Sequence, residues 1–246
     1  MNEAIVVYAA GSLKRALTVL FERFEQDSGL SVHAQFGPAG LLRERLQKGE
    51  RADLFASADR ANPARLVAMG LAVNSQRFAR NELCAVVKNN SDICTETLLT
   101  AMLDPLLTVG TSTPVLDPSG DYAVQVFEKA DQLRNGASAI LKSKATPLVG
   151  GRTSTPIPDG WAASEYLVDS GTADIFLSYA SYRDAIELAG RTRVIELPGP
   201  LQIQADYVMA SMNPESGHVL ALRAFIMSEA GQAILKQFGF RDHAGC

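Results

Sequence analysis

The stretch IVVYAAGSLKRAL, residues 5–17, decides how the rest of the chain is read. Ile5, Val6, Val7 and Tyr8 form a short apolar, β-branched run of the kind a buried parallel strand needs. Ala9, Ala10, Gly11 and Ser12 then remove all bulk, and helical spacing starts at Leu13. Leu13, Ala16, Leu17, Leu20, Phe21 and Phe24 share one face at a period of 3.6 residues. The reading is a strand, a tight turn of small residues, and a helix whose first amides are open. Ser12 reads as the helix N-cap, but Arg15 stands three residues on, so no capping box forms. Lys14 and Arg15 add positive charge to an already positive dipole end. Such an end suits an anion, and it is equally compatible with an ordinary strand–helix turn.

The next units repeat the first. SVHAQF at 31–36 alternates like a strand, Gly37-Pro38-Ala39-Gly40 is a small-residue turn, and a helix follows with Leu42 and Leu46 inward. Pro38 is expected just inside that helix, and Arg43, Glu44, Arg45 and Lys48 on its outer face. Residues 52–58 (ADLFASA) read as a third strand, and Asn62-Pro63 opens a third helix. Three strand–helix units in a row predict a parallel, doubly wound α/β sheet, in which ligands sit beyond the carboxyl ends of the strands.

Further strands are expected at 83–88, 107–111, 146–151, 174–179, 192–197 and 205–211. Pro105 interrupts a helical stretch at 96–107, Pro118 and Gly120 clear a turn before the helix at 123–133, and Asp121 is placed to cap it. Residues 152–159 read as a loop, Trp161 as the start of a helix closed by Gly171, and 214–238 as one long helix.

Composition limits the function. A net charge of −4 and a pI near 5.5, without a Lys/Arg block, argue against nucleic acid. No apolar run has the length of a membrane span. Met1, Asn2 and Glu3 lead straight into the first strand, so a secretory leader is expected to have been removed or the protein to be cytosolic. Cys84, Cys94 and Cys246 lack metal spacing, and the first two could pair or stay as thiols. His33, His218 and His243 are scattered. Asp53 and Asp59 read as turn caps. A nucleophile elbow, a P-loop and a G-x-G-x-x-G fingerprint are all absent, which argues against an enzyme.

Taken together, A-A-G-S-L at 9–13, F-G-P-A-G at 36–40, A-D-L-F-A-S-A-D at 52–59, D-P-S-G-D-Y-A at 117–123 and A-D-I-x-x-x-Y at 173–179 resemble the molybdate-binding family, the periplasmic receptors of molybdate ABC importers. The resemblance runs over nearly the whole chain, to QAILKQFGF at 232–240. It implies a two-lobe class II periplasmic-binding fold, lobe I being residues 1–82 plus 198–246 and lobe II residues 83–197. Asn81-Glu82 and Pro198-Gly199-Pro200 are breaker-rich places suited to the two crossings.

The resemblance also implies a ligand cleft holding molybdate or tungstate through Gly11, Ser12, Ala39, Gly40, Ser119, Trp161 and Tyr179. No cofactor and no protein-ligated metal cation are implied. The implied partner is an ABC permease, the protein monomeric and periplasmic. Two positions depart from the family pattern: Ala39 stands where a serine is usual, and Trp161 where a small aliphatic is usual. Arg152 is the one cation with a place near the implied cleft. Neutral donors at helix starts would hold a dianion, each hydrogen bond to charge contributing roughly 1.5–3 kcal/mol, and ligand-driven closure would report occupancy to the transporter. A receptor for another small anion or an organic carboxylate is the alternative. The effector half of a transcription regulator shares the topology, but no helix-turn-helix precedes the first strand.

Overall fold

The computed structural model describes residues 4–242. His243 and Cys246 lie outside them. The chain divides into two compact units, Met1–Asn81 with Ala205–Cys246, and Glu82–Gln204. The chain leaves the first unit within a long strand at Asn81/Glu82 and returns at Gln204/Ala205. Pro198-Gly199-Pro200, the breaker expected at the return, opens a single 3-10 turn (Gly199–Leu201) inside the second unit.

In the first unit, β1 (Ile5–Ala10) pairs in parallel with β2 (Val32–Gly37) and β3 (Leu54–Ser57). β9 (Gln204–Ser211) runs antiparallel beside β3, and β4 (Val73–Lys88) follows it. β1 and β3 are almost wholly buried, as near-continuous apolar runs require. Helix α1 (Lys14–Ser28) covers the sheet with the six residues its spacing predicts, Leu13, Ala16, Leu17, Leu20, Phe21 and Phe24, all buried. Phe24 meets Phe225 at 5.6 Å between ring centroids. Truncating any buried leucine of this face to alanine costs about 2–5 kcal/mol. Helices α2 (Ala39–Gln47) and α3 (Ala61–Ala68) pack against each other.

The C-terminal helical stretch is two helices rather than one, α9 (Gly217–Met227) and α10 (Glu229–Gln237). Ser228 stands extended between them and its hydroxyl accepts from the Gly231 amide at 3.2 Å, an N-cap in mid-pattern. Gly231 lies so close to the Phe225 and Ile226 carbonyls that any Cβ would collide with them.

In the second unit, β4 pairs antiparallel with β7 (Ile175–Tyr179) and with β8 (Thr192–Glu196). β5 (Val109–Ser112) runs parallel to both β7 and β6 (Thr146–Val149). Its core is Cys84, Val86, Leu167, Val168, Ala173, Phe176, Ile186 and Val194. Helix α4 (Leu98–Leu103) stops with Asp104 extended, because the residue before Pro105 cannot remain helical. Helix α5 (Pro118–Leu133) follows β5, α6 (Ala137–Lys144) follows α5, α7 (Ala163–Asp169) follows β6, and α8 (Arg183–Ala189) follows β7. Cys84 and Cys94 are free thiols. Burial pushes the Cys84 thiol up to about 12, so it carries no thiolate at neutral pH. No helix among the described residues is long and apolar enough to cross a membrane.

Candidate functional site

The first unit assembles its candidates from strand register. Ala10 pairs with Gly37 at the ends of two parallel strands, so the turns that follow are neighbours. A Cβ added to Gly11 would lie 3.9 Å from the Gly37 carbonyl oxygen. Gly11, Ser12 and Leu13 form a 3-10 turn, and the N-cap of α1 is Leu13. Ser12 therefore does not cap the helix, contrary to the expectation from sequence; its Oγ lies 2.9 Å from the Tyr207 hydroxyl. Ser12 is half-buried, whereas Gly11 is exposed. Pro38 occupies the N-cap of α2, one position earlier than expected, which makes Ala39 and Gly40 the first two helical residues. Amides at those two positions have no carbonyl within their own helix to bind. Both residues are buried.

Behind this edge lies a polar support that the sequence pattern does not suggest. Arg43, expected to face outward, is 6% exposed and donates from Nη1 to Asn62 Oδ1 at 2.8 Å. Asn62 donates in turn from Nδ2 to Asp59 Oδ2 (2.9 Å) and from its amide to Asp59 Oδ1 (3.1 Å), and Ser57 Oγ donates to Oδ1 at 2.8 Å. Asp59 is thus a turn anchor. Asp53 has the same character, accepting from the Val6 amide at 2.8 Å and from Asn213 Nδ2 at 3.2 Å. A cavity of about 600 Å³ beside Asp53 also touches Ile5, Arg51 and His218, at the amino end of β1, and none of the candidate residues lines it.

The second unit places Ser119 after β5, the Gly150-Gly151 pair after β6 and Tyr179 at the end of β7, all at the carboxyl ends of parallel strands. Ser119 and Tyr179 are buried, and Tyr179 meets Tyr122 edge-on at 6.4 Å. The start of α5 differs from that of α2. Asp117, not Asp121, is its cap: Asp117 Oδ1 accepts from the Ser119 amide at 3.0 Å, and its carbonyl from Gly120 at 2.9 Å. Asp121 instead accepts from the Val115 amide at 2.8 Å. Three of the first amides of α5, those of Ser119, Gly120 and Asp121, are therefore already bonded to Asp117. Gly120 serves packing, because a Cβ there would lie 2.5 Å from the Pro114 nitrogen.

Trp161 stands two residues ahead of α7, not inside it. Its ring meets Tyr166 edge-on at 5.6 Å, and the Arg191 guanidinium lies over it at 4.0 Å. Arg191 Nη1 also pairs with Glu165 Oε1 at 3.1 Å. Burial raises the Glu165 carboxyl above its usual range, against the opposing pull of Arg191. Along β4, Tyr179 is opposite Leu83, whereas Thr192, next to Arg191 in sequence, is opposite Lys88. That offset is about 17 Å of strand. Trp161 is thus engaged by Arg191 and Tyr166 at the approach to α7. Arg152 is exposed.

Sequence reasoning missed Tyr207, which meets Ser12, and Asp117, which caps α5. The signal for Tyr207 is a polar-tipped aromatic in an otherwise apolar strand, ADYVMAS, where a fully buried phenol needs a partner. Among the described residues, no group of three or more His, Cys, Asp or Glu is arranged to hold a metal ion.

Two α/β units joined by two crossings, with small-residue turns at the ends of parallel strands, define a solute-binding protein of the ABC-importer type. The chain belongs to the bacterial extracellular solute-binding protein family, whose profile matches residues 5–241. An uncharacterised protein of Pasteurella multocida is 34% identical over 95% of this chain and 97% of its own length. The molybdate-binding protein of Mycobacterium bovis is 26% identical over 96% of this chain and 84% of its own. The fold is shared with solved structures, among them these two. The sulfate-binding protein SubI of Mycobacterium tuberculosis has a TM-score of 0.77 at 20% identity, covering 98% of this chain and 87% of that one. The periplasmic molybdate-binding protein of Azotobacter vinelandii has a TM-score of 0.72 at 17% identity, covering 96% and 98%. The resemblance to molybdate-binding receptors read from the motifs therefore holds, as does the mixed α/β fold. These homologues are binding proteins rather than enzymes, and the family implies an ABC permease and a small ligand as partners.

Proposed function

We propose that this protein binds a tetrahedral oxyanion, molybdate or tungstate, outside the cytoplasm and delivers it as a monomer to an ABC permease, without a cofactor. The observation that carries the reading is the paired edge of the first unit. Register sets the Gly11-Ser12 turn beside the start of α2, so a hydroxyl and first-turn amides stand as uncharged donors on adjacent strands. Uncharged donors at a helix start suit a compact dianion. Ser119 and Tyr179 are the candidates in the second unit. Trp161 drops in rank because Arg191 and Tyr166 occupy its faces.

A second reading, a receptor for sulfate or another small anion, draws support from Ala39, which offers no hydroxyl, and from the Asp117 carboxylate at the start of α5. Calorimetry with molybdate, tungstate, sulfate and phosphate separates the two. The first reading expects micromolar or tighter binding of molybdate or tungstate, about −8 kcal/mol or better. No heat with either, alongside binding of sulfate, would replace it with the second.

A further inference from the structure

We propose that the cavity at the amino end of β1 is a second binding site, for a small zwitterion: a free α-amino acid with an aliphatic side chain. The inference stands apart from the oxyanion reading, because it uses none of the residues assigned to that anion.

The cavity lies wholly in the first unit, where the amino ends of β1 and β3 meet the carboxyl end of β9, Leu54 being paired with Ser211. The Gly11 turn and the start of α2 lie at the opposite edge of the same sheet, about 17–20 Å of strand away. Its volume of about 600 Å³ is that of a small-molecule pocket. Asp53 stands on its wall and is held from every side. The Asp53 amide donates to the Val6 carbonyl at 2.8 Å, Oδ2 accepts from the Val6 amide at 2.8 Å, and Oδ1 accepts from Asn213 Nδ2 at 3.2 Å. Its carbonyl accepts from the Met212 and Asn213 amides at 2.9 and 3.3 Å. All of these donors are neutral, so the carboxylate is fixed in position while its charge has no cationic partner among the described residues. Arg51 lines the same cavity, is exposed, and has no ion-pair partner among the described residues. The adjacent acid, Glu50, is taken by Arg45 and Tyr8.

Arg51 and Asp53 therefore face one space with opposite charges and do not neutralise each other. A molecule that bridges them needs an ammonium for the carboxylate and a carboxylate for the guanidinium, a short distance apart. Guanidinium and carboxylate match fork to fork. Each Asp53 oxygen accepts one printed side-chain bond and keeps a lone pair for an ammonium. A plain anion is repelled by Asp53 and a plain cation by Arg51, so only a ligand with both charges gains from both. His218, the remaining titratable residue of the lining, adds a ring N–H on the donor side. Ile5, Met212 and Val219 supply an apolar wall for an aliphatic side chain. This chemistry is the reverse of that at the other edge of the sheet, where the turns offer uncharged donors.

Amide chemical shifts of the isotopically labelled protein test the site with three probes: L-leucine, N-acetyl-L-leucine, which lacks the ammonium, and L-leucinamide, which lacks the carboxylate. L-leucine should shift the amides of Val6, Asp53, Asn213 and Val219 saturably, with a Kd of about 1 mM or tighter. Each of the other two probes gives up one charge-assisted contact and should bind at least about tenfold more weakly. Arg51→Gln should bring L-leucine down to the level of L-leucinamide at an unchanged melting temperature, since Arg51 is an exposed side chain without an ion pair. Equal affinities for the three probes, or no saturable shift with L-leucine up to about 10 mM, overturn the proposal. So does an Arg51→Gln protein that binds L-leucine as the wild type does. A protein that binds neither molybdate nor tungstate refutes the oxyanion reading and leaves the L-leucine result standing. Absent L-leucine shifts in a protein that binds molybdate refute this site alone.

Discussion

Ala39 and Gly120 are both small residues at helix starts, yet they have different physical reasons. Gly120 has no room: a Cβ would meet the Pro114 nitrogen, the Thr113 carbon and the Ser112 oxygen at 2.5–2.6 Å, all of them backbone. Backbone cannot rotate away as a side-chain tip can, so Gly120→Ala should destabilise by about 2–3 kcal/mol. Urea unfolding would show this as a lower midpoint at unchanged slope. Ala39 is fully buried at the first position of α2, beside open amides. Ala39→Ser restores the hydroxyl that the family resemblance leads one to expect. If the α2 start contacts the anion, calorimetry should show molybdate binding about ten- to a hundredfold tighter, one further bond to charge. An unchanged affinity would take this turn out of the site. From sequence, both positions read simply as cleared backbone. Residue spacing shows that a turn is tight, but not whether protein or ligand fills the space.

Elements were legible wherever burial is one-sided. The α1 stripe is the clearest case, since six residues at helical period became six buried side chains. Legibility failed where a polar side chain replaced the expected pattern. Ser228 splits the C-terminal helix because its hydroxyl caps α10, and an interior serine gives no warning of that. The first third of β4 carries Asn74, Ser75 and Gln76, all exposed, so no alternation marks it as strand. Asp117 was read as part of a turn, and Asp121 as the cap. The helix starts at Pro118, five residues before the expected 123, and that shift reverses which carboxylate meets its end. Asp117→Ala should cost about 0.5–2 kcal/mol of stability, the usual worth of an N-cap. It should also release the Ser119 amide and remove a negative charge from the start of α5, where the dipole favours anions. If Ser119 contacts the ligand, the variant melts lower but binds molybdate more tightly. Weaker binding together with the lower melting temperature would mean that the cap's role in holding Ser119 outweighs its charge.

At the scale of the molecule, the sequence carried the α/β class and the motif order. It was less informative about where the chain passes between units, because the return lies inside a regular strand, at Gln204/Ala205, with no breaker to mark it. Both passages sit next to one charged cluster. Asp206, one residue past the return, accepts from Arg60 Nε at 2.7 Å and Arg77 Nη1 at 3.2 Å, and Arg80, one residue before the departure, has Nε at 3.5 Å. The cluster ties β9, β4 and the turn after β3 together within the first unit.

Burial alone would raise the Asp206 carboxyl, but the guanidiniums of Arg60 and Arg77 overcome this and hold it below its usual value of 3.8. A carboxyl depressed in the folded state adds stability that is fully present above its unfolded value. That stability is lost as the pH falls through the folded one. Asp206→Asn should therefore cost about 1–3 kcal/mol at pH 7, since it leaves three guanidiniums around a neutral amide. In a chain of this length that is a fall of about 2–6 °C in melting temperature. The gap between variant and wild type should close as the pH drops below about 4, where the wild type loses the same charge. Melting curves from pH 2 to pH 7 would show convergence at the acid end if these ion pairs stabilise the first unit. A gap of constant size down to pH 2 would mean that Asp206 contributes through packing and neutral hydrogen bonds instead.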